Sequence, residues 1–397
     1  MKIVGLIAEY NPFHNGHKYH IDKAKEITGA DAVVVIMSGN FVQRGTPAIM
    51  PKHLRTKMAL QAGASLVIEL PVPYATGSAE FFAYGAVSLL DKLGCVHSIC
   101  FGSECGDLST LNELAKILVN EPEEYKKVLS SFLKQGFSFP LARQNAMCDY
   151  LHDESVKEIL TEPNNILGVE YLKALYRLNS KMEPYTIKRI SSHYHDQNLQ
   201  ETYSSASAIR KSIQKADLKD LHSQLSLENY KLLLENYQKN FPITANDFSL
   251  LLKYKLMQES PDSLTRYADV SEFLANRIYN HLNAYISFEQ FCESLKTKEL
   301  TYARISRALI HILLGITKES YTEIKYARIL GFCMADSKVL SNISKHAQIP
   351  LITKLTAYPD LNELQLDRKA ADLYESVVTD KFQTPFHSEY TQQIIRI

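Results

Sequence analysis

The feature that most constrains this chain is its beginning. An apolar run over residues 2–8 ends in Glu9-Tyr10-Asn11-Pro12-Phe13-His14-Asn15-Gly16-His17, and a helical pattern then continues to Ile27. A second, Val-rich apolar run over 32–37 follows at once, which makes a βαβ unit. Parallel neighbours need such a crossover, and in sheets of this kind the ligand crevice opens at the carboxyl ends of the strands. The alternation goes on with a helix over 53–62, a strand over 66–70 running into Pro71 and Pro73, a helix over 79–92 and a short strand over 97–101 before Gly102. Helical spacing covers about 122–176, one more strand is predicted over 185–190, and a polar loop leads to a helix beginning near Ser207. After Leu218 strand signals nearly vanish, and helices over 228–237, 247–257 and 271–282 take over. The predicted class is α/β: a Rossmann-like domain with a parallel sheet in residues 1–215, then a mainly α-helical domain in 216–397.

Bulk properties narrow the class without naming a partner. With 397 residues, 45% hydrophobic and 22% charged, the chain has ample core material and the composition of a globular protein. Lys plus Arg equals Asp plus Glu at 44 each, so a nucleic acid would have to be held by a local basic face. The N-terminal apolar run carries Glu9 close behind and reads as a buried strand, not a signal peptide, and no stretch of about 18 apolar residues suggests a membrane span. Six cysteines without a Cys-x-x-Cys pair read as unpaired thiols of a reducing compartment, the cytoplasm.

The residues that carry chemistry fall at the predicted carboxyl edge. His14 and His17 stand three apart at a helix start, with Gly16 between them to let a ligand approach the backbone, and helix N–H groups point at whatever binds there. That is a phosphate site. Ser205-Ala206-Ser207-Ala208-Ile209-Arg210 opens a later helix, with Ser207 as the expected N-cap and Arg210 in the first turn, both within reach of phosphate. The loop over 38–45 sets Asn40, Gln43 and Arg44 beside two glycines, suited to a small carboxylate or a base, or merely stabilised by its own amides. Lys52 and Arg55 follow, to touch phosphate or RNA or to solvate a helix face. Gly102 permits close approach of adenine or ribose, Asn164 and Asn165 precede a helix and suit either ribose contact or capping, and Lys188 and Arg189 end the last predicted strand of the sheet. In the helical half, Arg304, Arg307 and His311 share one face opposite Ile305, Leu309 and Ile312, with Lys296, Lys298, Lys325 and Arg328 near in sequence, a face for RNA or for solvent. His193-Tyr194-His195-Asp196 lacks a distant His or Cys partner and is not read as a metal site.

His14-Asn15-Gly16-His17 matches the His-x-Gly-His signature of the nucleotidyltransferase superfamily, and 205–210 resembles its Ser-Ser-Thr-x-x-Arg motif with Ala206 replacing the middle Ser. With residues 38–45, Pro71-Val72-Pro73-Tyr74-Ala75 and Pro163-Asn164-Asn165-Ile166-Leu167-Gly168, the whole chain resembles the bacterial tRNA(Met) cytidine acetate ligases. The resemblance implies activation of acetate by ATP to acetyl-adenylate, then acetylation of the wobble cytidine of elongator tRNA(Met). It implies catalysis by His14, His17, Asn40 and Arg210. ATP would lie against Ile7, Ala8, Glu9, Tyr10, Asn11, Pro12, Phe13, His14, Asn15, Gly16, His17 and His20, with Gly102, Asn164, Asn165, Lys188, Arg189, Ser207 and Arg210. Ser38, Asn40 and Gln43 would meet acetate or cytidine, and Arg44, Lys52, Arg55, Arg304, Arg307, Lys325 and Arg328 the tRNA. Mg²⁺ would come through the nucleotide phosphates, with no dedicated protein ligands and no obligate protein partner. A small-molecule adenylyltransferase of coenzyme metabolism is the rival, disfavoured by so large a helical half, and a non-catalytic nucleotide-binding regulator is a third reading.

Overall fold

The computed structural model describes residues 1–189, 204–358 and 361–397. Its strands in chain order are β1 (Ile3–Ala8), β2 (Ala32–Ser38), β3 (Phe41–Val42), β4 (Thr46–Pro47), β5 (Leu66–Leu70), β6 (Ser98–Ser103), β7 (Glu183–Lys188), β8 (Ala327–Phe332), β9 (Leu351–Ile352) and β10 (Ile395–Arg396). One sheet runs β10-β8-β5-β2-β1-β6-β7, with β9 beside β8, while β3 and β4 form a separate hairpin. From β5 to β7 every neighbour is parallel, as the βαβ pattern requires.

Both faces of this sheet are covered, which explains why β2 is apolar throughout instead of alternating. Val34 and Ile36 face a core shared with helices Ala79–Lys92 and Pro163–Arg177. Val33, Val35 and Met37 point the other way, onto helices Asn15–Thr28 and Lys52–Gln61. A third core joins Phe41 and Val72 to helices of the C-terminal half, including Tyr302–Leu314 and Asn362–Phe382.

The C-terminal half is mainly helical, but it is not separate from the sheet. β8 pairs antiparallel with β5, and β9 and β10 add to β8 on the same side of the molecule. The sheet therefore crosses the boundary predicted at residue 215. These strands escape sequence reading for a physical reason: β9 and β10 are two residues each, too short to show any period, and β8 is a single short apolar run inside helical surroundings. The six cysteines are free thiols. No helix among the described residues is long and apolar enough to cross a membrane. The His193-to-Asp196 stretch lies outside the described residues.

Candidate active site

The first strand delivers its loop to the carboxyl edge, and the helix that follows is capped by histidine. His14 is extended at the N-cap (φ −153°, ψ 175°). Its Nδ1 accepts from the Gly16 N–H at 3.1 Å, and His17 Nδ1 accepts from the His14 N–H at 3.2 Å. An imidazole whose Nδ1 accepts carries its proton on Nε2, so both rings are set as Nε2–H donors. They lie 3.8 Å apart between centroids, tilted by 31°. Burial first, then the Arg189 and Arg210 charges, push His14 down to about 3. Burial, then His14 and Arg189, hold His17 well below its ordinary value. Burial and Arg189 bring His20 down to about 4, against a hydrogen bond with the Cys100 backbone that raises it. The three rings are thus neutral near pH 7. A Cβ on Gly16 would stand 2.8 Å from the His14 ring, so glycine keeps the capping geometry open.

The second motif closes on the first. Helix Ala206–Gln214 is capped by Ser205, whose Oγ accepts from the Ala208 N–H at 3.1 Å. The predicted cap, Ser207, lies two residues further on within the first turn and instead accepts from Arg210 Nη2 at 2.9 Å. Arg210 Nη1 donates to the Asn11 carbonyl at 2.6 Å and so ties the two loops together. A cleft of about 540 Å³ opens between them, lined by Ile7 to Asn11, His14, Gly16, His17 and His20 on one side and by Ser205, Ser207 and Arg210 on the other. Lys188 and Arg189 reach it from the end of β7, and Gly102 from β6, where a Cβ would come 3.3 Å from Arg189 Cγ. Pro12, Phe13 and Asn15 do not line it. Phe13 is core, and Asn15 Nδ2 donates to the Ser223 carbonyl at 3.0 Å.

At the far end the two asparagines part ways. Glu104 caps helix Pro163–Arg177, accepting from the Asn165 N–H at 2.8 Å and from Asn164 Nδ2 at 2.6 Å. Asn164 lines the cleft. Asn165 is buried, accepting from the Cys105 N–H and donating to the Ile159 carbonyl, so its predicted nucleotide contact is replaced by a structural role. Tyr171 and Phe82 also line the cleft, and neither was predicted. Tyr171 falls two helical turns after Asn164, a face periodicity that would have pointed to it.

The roof comes from distant sequence. The β3–β4 hairpin brings Gln43, Arg44 and Thr46 to the cleft, and helix Tyr302–Leu314 brings Ala303 and Arg307. They are locked together: Ser306 Oγ donates to the Gly45 carbonyl at 2.6 Å, and at Gly45 (φ +69°) a Cβ would collide with the Arg307 backbone. Arg307 Nε donates to Asp269 at 2.9 Å. His311, predicted on the same RNA face, is buried and bonded to the Ala268 and Thr76 carbonyls.

Several predicted contacts are corrected by burial. Ser38 is fully buried, and Asn40 lies off the cleft with its Oδ1 accepting from the Lys52 N–H at 2.8 Å. Lys52 is 1% exposed and ion-paired to Glu69 and Glu389, both at 2.8 Å. Arg55 is 0% exposed and donates to the carbonyls of Met50, Glu9, Ser38 and Gly39. Arg328 is equally buried, beside Glu389. None of the three presents a charge that RNA can reach. Arg304 and Lys325 are exposed, Lys325 paired to Glu363 at 2.7 Å.

Comparison with known proteins agrees with this geometry. The HIGH Nucleotidyl Transferase family matches residues 1–389. The tRNA(Met) cytidine acetate ligase of Acetivibrio thermocellus is 43% identical, with all of both chains covered, and that of Clostridium acetobutylicum is also 43% identical over the whole of both. Thermotoga maritima TmcAL, 32% identical and covered in full, superposes with a TM-score of 0.94 in its apo form and 0.92 when bound with alpha-thio ATP.

Proposed function

The chain belongs to the HIGH Nucleotidyl Transferase family, among its tRNA(Met) cytidine acetate ligases, and from that premise we propose how its cleft performs the two steps of such a ligase. ATP occupies the cleft with its phosphates toward His14, His17 and Arg210. An acetate oxygen attacks the α-phosphorus, the bond to the bridging oxygen breaks, and pyrophosphate leaves with that electron pair. Acetyl-adenylate remains. The wobble cytidine of tRNA(Met) then attacks the acetyl carbonyl through its exocyclic nitrogen, AMP departs, and acetylcytidine is released.

The observation that carries this reading is the pair of Nε2–H donors, fixed by their own Nδ1 hydrogen bonds, facing one cleft with Arg210. The first step needs no enzyme nucleophile. It needs alignment and neutralisation of charge that builds on phosphate, which preorganised donors supply without reorganising. Arg189 and Lys188 add charge at the same edge. Magnesium carried by the nucleotide would add charge neutralisation at the phosphates, beside the donors of His14, His17 and Arg210. tRNA and ATP as substrates place the reaction in the cytoplasm.

The test is incubation with ATP, labelled acetate and total bacterial tRNA, followed by nucleoside analysis. Acetylcytidine in tRNA(Met), with acetate-dependent ATP–pyrophosphate exchange in the absence of RNA, is the expected result. Adenylylation of a mononucleotide or a pantetheine compound instead would assign the cleft to coenzyme synthesis.

A further inference from the structure

The cleft is strongly cationic, with Arg44, Lys188, Arg189, Arg210 and Arg307 on its walls. Among the described residues that line it, one side chain is acidic: Glu9, the first residue after β1. A carboxylate there repels the phosphates of ATP and the carboxylate of acetate, so the anionic end of neither substrate accounts for it. It is nevertheless held in place. Gln43 N–H donates to Glu9 Oε1 at 3.0 Å, and the Glu9 backbone carbonyl accepts from Arg55 at 2.5 Å. Among the described residues the other carboxylate oxygen, Oε2, takes no hydrogen bond. Tyr171 lines the same cleft, its hydroxyl held protonated by burial first and by the Glu9 charge second.

ATP brings ribose hydroxyls and an adenine amine that keep their hydrogens throughout, and acetate has none to give, so one reactant in this reading must lose a proton as it reacts. The exocyclic amine of cytosine is a donor, and carboxylates pair with it in base recognition. We propose that Glu9 is the residue that receives and orients the cytidine amine and takes its proton during acetyl transfer. The nitrogen lone pair forms the new C–N bond to the acetyl carbon, and the carbonyl π pair moves to oxygen. As that pair returns, the C–O bond to the adenylate phosphate breaks and AMP leaves with its electrons. The proton that the nitrogen can no longer keep passes to Oε2 of Glu9 and from there to solvent. Gln43 N–H fixes Oε1, so the carboxylate is aimed before the base arrives.

This inference rests on the acetyl-ligase reading, and the experiment separates the two. Acetyl-adenylate is first formed on the enzyme from ATP and labelled acetate, tRNA(Met) is added, and single-turnover transfer is followed alongside ATP–pyrophosphate exchange. Glu9→Gln keeps a side-chain oxygen for the Gln43 N–H and removes only the base. Loss of a general base predicts a fall in transfer of about a hundredfold or more, with exchange reduced by less than about tenfold. Equal losses in both steps would overturn the proposal and assign Glu9 to the nucleotide or its magnesium, as would transfer at the wild-type rate. If the wild-type enzyme itself forms no acetylcytidine, the acetyl-ligase reading fails before Glu9 is tested.

Discussion

Two sets of cations near the carboxyl edge of the sheet look alike in sequence and differ completely in use. Lys52, Arg55 and Arg328 are buried; the Lys52 and Arg55 donors are taken up by carbonyls and carboxylates that pin the 38–40 loop and the C-terminal tail beside β5, and the Arg328 guanidinium lies against Ile352 and Glu389. Lys188, Arg189 and Arg210 line an open cleft instead. Burial pushes even the Arg55 guanidinium down to about 10, although Tyr374, Glu9 and Glu69 oppose this, so it stays charged at neutral pH. Burial also acts to lower Lys52, but Glu389 and Glu69 together hold its ammonium above the ordinary value. The contrast teaches that the first set builds the edge and the second faces the space the edge encloses.

The largest effect tests the building set. Replacing Lys52 with Met leaves Glu69 buried without its cation and Glu389 with Arg328 alone at 3.5 Å beside His53, and breaking a buried pair of this kind costs about 3–5 kcal/mol of stability. Chemical denaturation should show that loss as a shifted midpoint. A variant as stable as the parent would mean that Lys52 is a solvated residue in the protein's working state, and would reopen it as an RNA contact.

Next in size is the working set's own core. His17→Ala removes a preorganised Nε2–H donor, which typically costs on the order of 3 kcal/mol, or about a hundredfold in rate. Acetate-dependent exchange measures it, and a denaturation midpoint close to the parent's separates this loss from the one at Lys52. Near-normal exchange in the folded variant would remove His17 from the phosphate site.

How much of this was readable beforehand follows from distance along the chain. The His14–His17 turn and the Arg210 turn are local strand–loop–helix or loop–helix patterns, and both appear where predicted, against one cleft. Asn165 and Asn164 look equivalent until Cys105 and Ile159 are placed around one of them. The fate of Lys52 depends on Glu69 and Glu389, and that of Ser38 and Asn40 on a helix packed over their loop, none of which any local period records. Arg307 was predicted for RNA from its helix face, yet only the Gly45–Ser306 contact reveals that this helix roofs the cleft.

A smaller effect comes from the histidines' protonation. His14 is lowered to about 3, so as pH falls below about 6.5 the unfolded chain takes up a proton that the native ring refuses, and stability declines toward pH 3. Asp367 acts oppositely: burial, then Glu69, raise it to about 7, so the native state holds its proton first and gains stability as pH falls below that value. A difference between variants cancels the second group. His14→Asn keeps a good N-cap and cannot titrate, so its stability should gain on the parent's on acidification by at most about 1.4 kcal/mol per pH unit. Parallel pH curves would mean that His14 titrates normally in the folded protein.

The smallest expected effect concerns the cation that belongs to neither set. Arg304 stands on the same helix as Arg307 but is exposed and off the cleft, whereas Arg307 lines the cleft and is tied to Asp269. If the outer face of this helix meets the tRNA backbone, Arg304→Ala removes one phosphate contact without disturbing the roof, since Ile305 and Leu309 remain in the core. The logarithmic salt slope of tRNA binding should then fall by roughly 0.7 to 0.9. Arg307→Ala should lower the slope too, but it also frees Asp269 at the cleft wall and should weaken ATP–pyrophosphate exchange measured without RNA. That exchange assay therefore tells the two arginines apart. An unchanged salt slope in Arg304→Ala would make this face ordinary solvated surface. The RNA would then have to be sought around the cleft mouth at Arg44 and Arg307, since Lys52 and Arg55 are already spoken for by the edge they hold in place.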